Sequence, residues 1–267
     1  RMITKKNNNK SSGKKKTQNN ILVIGDAHVT NGQSLRRFDW LAQYIERQED
    51  LTHVVIIGDF LTYNSLSAWD RDKRLLMEGR RLSKEVDAGH IALEKLNKAC
   101  IQISCNRIYI EGNHEDRLRR YIETHPELAD GNLTTPSLLS LEELGWEWIP
   151  YRSYRVINGI HFTHIPFGKS REISGKDICS KAESVTTSSV VFGHTHELHT
   201  SCVHKHGMKH LQQILNVGCF FEQDEEYVEG KMTNYWKGVV KLKNYDYGRF
   251  DIETTSMGAL QRGYNKD

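Results

Sequence analysis

The 267 residues contain five cysteines, an odd number, and no two are spaced C-x-x-C. That leaves no basis for a disulfide frame or a thiolate zinc site. Cys100, Cys105, Cys179, Cys202 and Cys219 are expected to be reduced thiols acting as small hydrophobes, which suits a cytosolic compartment. No run of about 18 apolar residues occurs, so no membrane-spanning helix is expected. Nor is there an N-terminal apolar stretch, so no secretory signal is expected. Acidic residues are missing from positions 1–20, which hold seven Lys or Arg. Against the chain's net charge of +3, the remainder is left at −4. This Asn-, Ser- and Lys-rich stretch has almost nothing apolar to bury. A disordered basic tail is expected over 1–20, serving either solubility or a polyanion contact, and a single folded domain over 21–267.

What is present in the body is a series of short buried runs. Ile21–Ile24, Val54–Ile57, Arg107–Ile110 and Ser189–Phe192 are branched, apolar and four residues long, which predicts interior strands. Between the first three lie helical periodicities. Leu35, Phe38, Leu41, Ala42 and Ile45 form one stripe, with Ser34 as a candidate cap. Leu82, Val86, Gly89, Leu93, Leu96 and Cys100 form a longer one. Strand, helix, strand, helix, strand implies parallel βαβ units. After Pro150 the chain reads as strands. Tyr154–Ile157 and Ile160–His164 flank Asn158-Gly159, a strong hairpin signal, and Gln213–Val217 is another strand. A closing hairpin is expected around Tyr247-Gly248. The class is α/β, with a sheet from each half packed into one core.

The chemistry lies at the strand ends. Four strands run into Gly followed by a metal-competent side chain: Asp26, Asp59, Asn113 and His194; a fifth ends at His164. One Gly-Asp after a strand is usually a turn. Five such ends, at the edge of the sheet where α/β proteins bind ligands, can deliver their side chains to one point. Carboxylate, imidazole and amide oxygen suit Mn²⁺, Fe, Zn²⁺ or Ni²⁺. Asp26 with His28, and His194 with His196, place two donors on one strand end. The two oxygens of Asp59 can link two ions, and a pair of cations forms a clamp for in-line displacement at phosphorus.

The order D-x-H, GD, GNHE, H, GHTH over Ile21 to Gly218 resembles the calcineurin-like metallophosphoesterase superfamily. The resemblance implies a four-layer αββα sandwich, two mixed sheets flanked by helices. It also implies two divalent ions, Mn²⁺ first among the candidates. Asp26, His28 and His196 would hold one, Asn113, His164 and His194 the other, and Asp59 would bridge them. His114 would sit off the metals and either donate a proton to the leaving oxygen or steady the phosphate. His161 competes with His164, which is preferred for its place at the strand end. Glu115 and Asp116 are expected to serve the dipole of the helix that follows.

Protein phosphatases of this superfamily carry a phosphate-gripping Arg shortly after the GD motif. Here Phe60-Leu61-Thr62-Tyr63-Asn64 follows, with no Arg. That stretch, with Trp69-Asp70, resembles bacteriophage-encoded and prokaryotic members, which implies a cytoplasmic location, the host's if phage-encoded. Asn64, Arg117 and Arg120 are candidate substrate contacts. Arg71, Lys73, Arg74, Arg80, Arg81 and Lys84 form either a solvated helix face or a rim that tracks phosphates. Tyr63, Trp69 and Tyr121 are candidates for base stacking. The expected activity is hydrolysis of a phosphodiester in nucleic acid (DNA or RNA) or a nucleotide. A phosphomonoesterase for a small molecule or phosphoprotein is the alternative, and a non-catalytic binding scaffold the reading from another class. No membrane partner is expected.

Overall fold

A computed structural model describes residues 20–168, 171–173, 175, 177–207, 211–222 and 233–265. The expected basic tail therefore lies outside the described residues, apart from Asn20, which opens the first strand. In chain order the elements are β1 (Asn20–Ile24), α1 (Arg36–Glu46), β2 (Leu51–Ile56), α2 (Arg74–Met77), α3 (Leu82–Gln102), β3 (Asn106–Ile110), α4 (Asp116–Thr124) and α5 (Thr135–Leu138). There follow β4 (Glu147–Ile149), β5 (Arg155–Ile157), β6 (Ile160–Phe162), α6 (Ile178–Val185), β7 (Ser189–Phe192), β8 (Leu198–Val203) and β9 (Gln212–Val217). The last three are β10 (Gly238–Asp246), β11 (Arg249–Ser256) and α7 (Met257–Tyr264).

Two mixed sheets result. One has the order β11-β10-β1-β2-β3-β4 and the other β5-β6-β7-β9-β8. Their facing sides share one apolar layer. Ile21, Val23, Val55, Ile57, Ile108 and Ile110 meet Ile160, Phe162, Val191, Leu215 and Val217. Each such side chain taken fully out of water contributes about 1.5–3 kcal/mol. The opposite face of the first sheet is covered by α1, α3 and α7 through Phe38, Leu41, Leu93, Leu96 and Leu260. Ile178, Cys179 and Ala182 of α6 cover the second sheet. The fold is the four-layer αββα sandwich.

The expectation of one sheet from each half fails at the C-terminal hairpin. β10 returns to pair antiparallel with β1, with Val23 opposite Val240, so the last strands join the first sheet. β10 is buried on both faces over Gly238–Leu242, and such a pattern carries no mark of its neighbour. The hairpin turns are where they were expected: Asn158 and Gly159 have φ of 45° and 82°, Tyr247 and Gly248 of 44° and 82°. Positive φ at both central residues is the two-residue turn whose twist matches paired strands. Among the described residues no helix is long and apolar enough to cross a membrane.

Candidate metal centre

β1, β2 and β3 lie side by side and parallel in the first sheet, as do β6 and β7 in the second. Their carboxyl ends open at the same edge, and the loops leaving them carry all the expected ligands. Asp26, Asp59, His164 and His196 are almost fully buried there. The side chains gather into overlapping groups: Asp26, His28 and His196; His28, Asp59 and His114; Asp59, His164 and His194.

In the first group His196 Nε2 is 3.1 Å from both Asp26 Oδ2 and His28 Nε2. In the third, Asn113 Oδ1 lies 2.9 Å from His164 Nε2 and from His194 Nδ1, and Asp59 Oδ2 is 3.3 Å from His164 Nε2. The His164 Nδ1–H donates to the Ile57 carbonyl at 3.1 Å. That leaves the Nε2 lone pair of the neutral ring aimed at oxygen lone pairs, an arrangement a cation between them would satisfy. The donor set therefore fits divalent metal ions.

Asp59 Oδ1 accepts the backbone N–H of His114 at 2.8 Å, while its Oδ2 lies 3.3 Å from His164 Nε2 and 3.9 Å from His114 Nε2. Asp26 likewise accepts the backbone N–H of His194 through both oxygens, at 3.0 and 3.1 Å.

The Gly punctuation has a steric cause. A Cβ on Gly112 would stand 2.0 Å from Asp59 Oδ1, and one on Gly193 2.3 Å from Asp26 Oδ1. The carboxylates touch bare backbone there. Four of the gathered side chains also sit on strained backbone: His28, Asp59, His194 and His196 have φ of 46°, 46°, 74° and 62°. Each costs about 1–3 kcal/mol and persists only where surrounding contacts hold it.

Those contacts come from residues that sequence reading missed or misread. Glu115, expected at the helix dipole, is buried and braces the loops instead. It accepts the N–H groups of Asp59, Leu61 and Gly112 at 2.9–3.0 Å and the Tyr109 hydroxyl at 3.0 Å. Asp116 is also buried, in the first turn of α4, and pairs with Arg119 at 2.7 Å and Arg120 at 3.1 Å. Arg37 is buried in α1 and donates to the carbonyls of Phe220, Ser34 and Ala27 at 3.1, 2.7 and 3.0 Å. It thereby pins the backbone between Asp26 and His28. Glu85 of α3, also buried, accepts the Asn64 N–H at 2.8 Å and the Ser65 N–H at 3.2 Å. The available signal was phase: Arg37 shares the α1 stripe with Leu41 and Ile45, and Glu85 stands four residues before Gly89.

Replacing Glu115 with Gln turns an acceptor of four bonds into a group whose NH2 meets two donors. Glu115→Gln is expected to cost about 3 kcal/mol of stability, which denaturant unfolding measures. A change below about 0.5 kcal/mol would mean the brace carries little.

His114 stands beside the groups. Its Nδ1–H donates to the Thr62 carbonyl at 3.1 Å. Its Nε2 lies 3.3 Å from Arg117 Nη2 and 3.9 Å from Asp59 Oδ2. Arg117 also donates to the Thr62 carbonyl at 2.9 Å and to Asn64 Oδ1 at 3.3 Å, which brings two of the three candidate substrate contacts beside His114. Arg120 is turned to Asp116 and to the Asn113 carbonyl at 3.0 Å, behind a candidate ligand. Of the candidates for base stacking, Tyr63 is fully buried and Tyr121 stacks on His125 at 3.9 Å, which leaves only Trp69 open. His161 packs on Tyr154, with ring centroids 5.4 Å apart, away from the gathered groups.

The sequence profile of the calcineurin-like phosphoesterase family matches residues 20–237, a span that takes in every one of these strand ends. The chain belongs to that family. No curated protein matches it. Among solved structures, Vps29 of Chaetomium thermophilum is similar at 11% identity and a TM-score of 0.38, over 88% of this chain and 96% of that one. TT1561 of Thermus thermophilus is similar at 10% identity and a TM-score of 0.38, over 89% of this chain and 98% of that one. Likenesses at that level carry no argument about function.

Charge within the calcineurin-like site is balanced internally. Burial opposes the charge on Asp59, but His164 and His114 outweigh it and hold the carboxyl well below its usual range. Burial likewise opposes the imidazolium of His164, but Asp59 and Asp26 outweigh it and push its pKa up to about 9. Without metal, a proton on His164 sits where a cation would. Metal must displace that proton, so affinity for Mn²⁺ is expected to climb with pH until about 9. Calorimetric titration in two buffers of different ionisation heat checks this: proton release gives unequal heats, and equal heats would contradict it.

Proposed function

We propose that the chain is a two-metal phosphodiesterase acting on nucleic acid or a nucleotide, in a cytoplasm, on the phage-like branch its GD-F-x-x-x-N-S stretch resembles. The observation that carries this reading is the convergence of Asp26, His28 and His196 on one side of Asp59, and of Asn113, His164 and His194 on the other. These sets would each hold one divalent ion, with Mn²⁺ preferred, and the Asp59 carboxylate would serve both. Bound there, the ions would neutralise phosphate oxygens and supply hydroxide at neutral pH.

The chain's own residues do the rest. His114 Nδ1–H is held by the Thr62 carbonyl and Nε2 by the Arg117 guanidinium; with Arg117 turned to a phosphate oxygen, Nε2 would be free to carry a proton to the leaving oxygen. Arg117, steadied by Thr62 and Asn64, offers a guanidinium for a phosphate oxygen. No Arg follows Asp59, so the charge offered beyond the metals is modest. That suits a diester with one negative charge better than a monoester with two.

The test compares Mn²⁺-loaded protein on bis-p-nitrophenyl phosphate and on p-nitrophenyl phosphate. The diester is expected to have the higher kcat/KM. Faster turnover of the monoester would replace this reading with a phosphomonoesterase, and turnover of neither would favour a binding scaffold.

A further inference from the structure

Between Leu66 and α3 the chain makes an excursion, residues 67–81, whose surface the proposed chemistry does not use. The basic run there is not one helix face: only Arg74–Met77 forms a helical turn before α3 begins. Trp69 is 90% exposed and Leu75 86%, a degree of exposure that neither residue usually shows. Every residue between them is charged: Asp70, Arg71, Asp72, Lys73 and Arg74. Lys73 pairs with Asp70 at 2.7 Å and Arg80 with the same carboxylate at 3.5 Å. Arg71 and Arg74 are exposed, and among the described residues neither has an ion-pair partner.

The centre of a protein interface is depleted of Lys, Asp and Glu, and Asp70, Asp72 and Lys73 all stand between Trp69 and Leu75. Here the exposed Trp69 and Leu75 are separated by five charged residues, and a bare ring beside guanidinium groups is the pairing that single-stranded nucleic acid uses: a ring for a base and cations for the backbone. The excursion is also tied to the metal centre. Glu85 fixes its near end by accepting the N–H groups of Asn64 and Ser65 and the Ser65 hydroxyl at 2.5 Å. Asn64 touches Arg117, which touches His114. Trp69 follows Asn64 closely in the chain, so the two stand at most about 18 Å apart, a few nucleotides of strand.

We propose that residues 67–81 are a docking surface for a single-stranded polynucleotide, with Trp69 stacking on a base and Arg71 and Arg74 on successive phosphates. The strand is thereby led toward the pocket of His114 and Arg117. This rests on the phosphodiesterase reading above. A duplex keeps its base faces stacked and is the poorer ligand.

The experiment titrates the full chain, with EDTA present so that nothing is cleaved, into labelled oligo(dT) over a range of salt. Trp69→Ala is expected to weaken binding about five- to a hundredfold, the effect of losing one stacked base, and Trp69→Phe to restore most of it. Arg71→Gln with Arg74→Gln is expected to flatten the log–log salt slope by about 1.4, two single-strand phosphate contacts. Unaltered binding by Trp69→Ala overturns the proposal, as does a change confined to self-association in sedimentation. Turnover of bis-p-nitrophenyl phosphate is measured in parallel. Diester cleavage without Trp69-dependent binding removes the surface and leaves the enzyme reading. Trp69-dependent binding without diester cleavage keeps the surface and removes the enzyme reading.

Discussion

Asp59→Asn is expected to lower turnover of bis-p-nitrophenyl phosphate by at least about a thousandfold, on the order of 4 kcal/mol of transition-state stabilisation. The reason is geometric. Asp59 is the carboxylate gathered both with His28 and His114 and with His164 and His194. An amide in that place presents either a neutral oxygen or an NH2, and neither holds two cations. Bound metal should fall from two ions per chain to one or none, which elemental analysis after gel filtration reads directly. The fold should survive, because the backbone N–H at this position remains on Glu115. An Asp59→Asn variant that kept both ions and full turnover would contradict the bridging role.

His114→Gln is expected to lower kcat by about a hundred- to ten-thousandfold on substrates with poor leaving groups, with metal content unchanged. His114 is the histidine of the cluster whose ring is held by a backbone carbonyl on one side and faces Arg117 on the other. A proton donor matters most when the departing oxygen is basic. p-Nitrophenolate leaves unaided, so the loss on bis-p-nitrophenyl phosphate should be much smaller than on an alkyl diester or a dinucleotide. Equal losses on both would assign His114 to holding phosphate, and a loss of metal would make it a ligand.

The candidate ligands were legible because chemistry and sterics leave the same mark. Gly112 and Gly193 are needed where a carboxylate presses on backbone, and the residues beside them carry the metal-competent groups. Strand and helix positions in the first half were legible from period and length. Glu115 was not, because its partners are backbone N–H groups of another loop, 54 and 56 residues away, which no side-chain pattern records. Arg37 and Glu85 were hidden for the same reason, inside stripes that read as apolar. The return of β10 to β1 is a tertiary choice made by the burial of Val239, Val240 and Leu242 against the first sheet, and local sequence does not encode it. β8 escaped notice as an edge strand: over Leu198–Val203 no residue is buried, so no apolar run marks it.

The central claim is that Asp26, His28, Asp59, Asn113, His164, His194 and His196 hold two divalent ions that share Asp59. Anomalous diffraction from crystals of the Mn²⁺-loaded protein tests it most directly. Two peaks are expected, about 3.5–4 Å apart, both beside the Asp59 carboxylate. A single peak, or peaks away from these side chains, would contradict it.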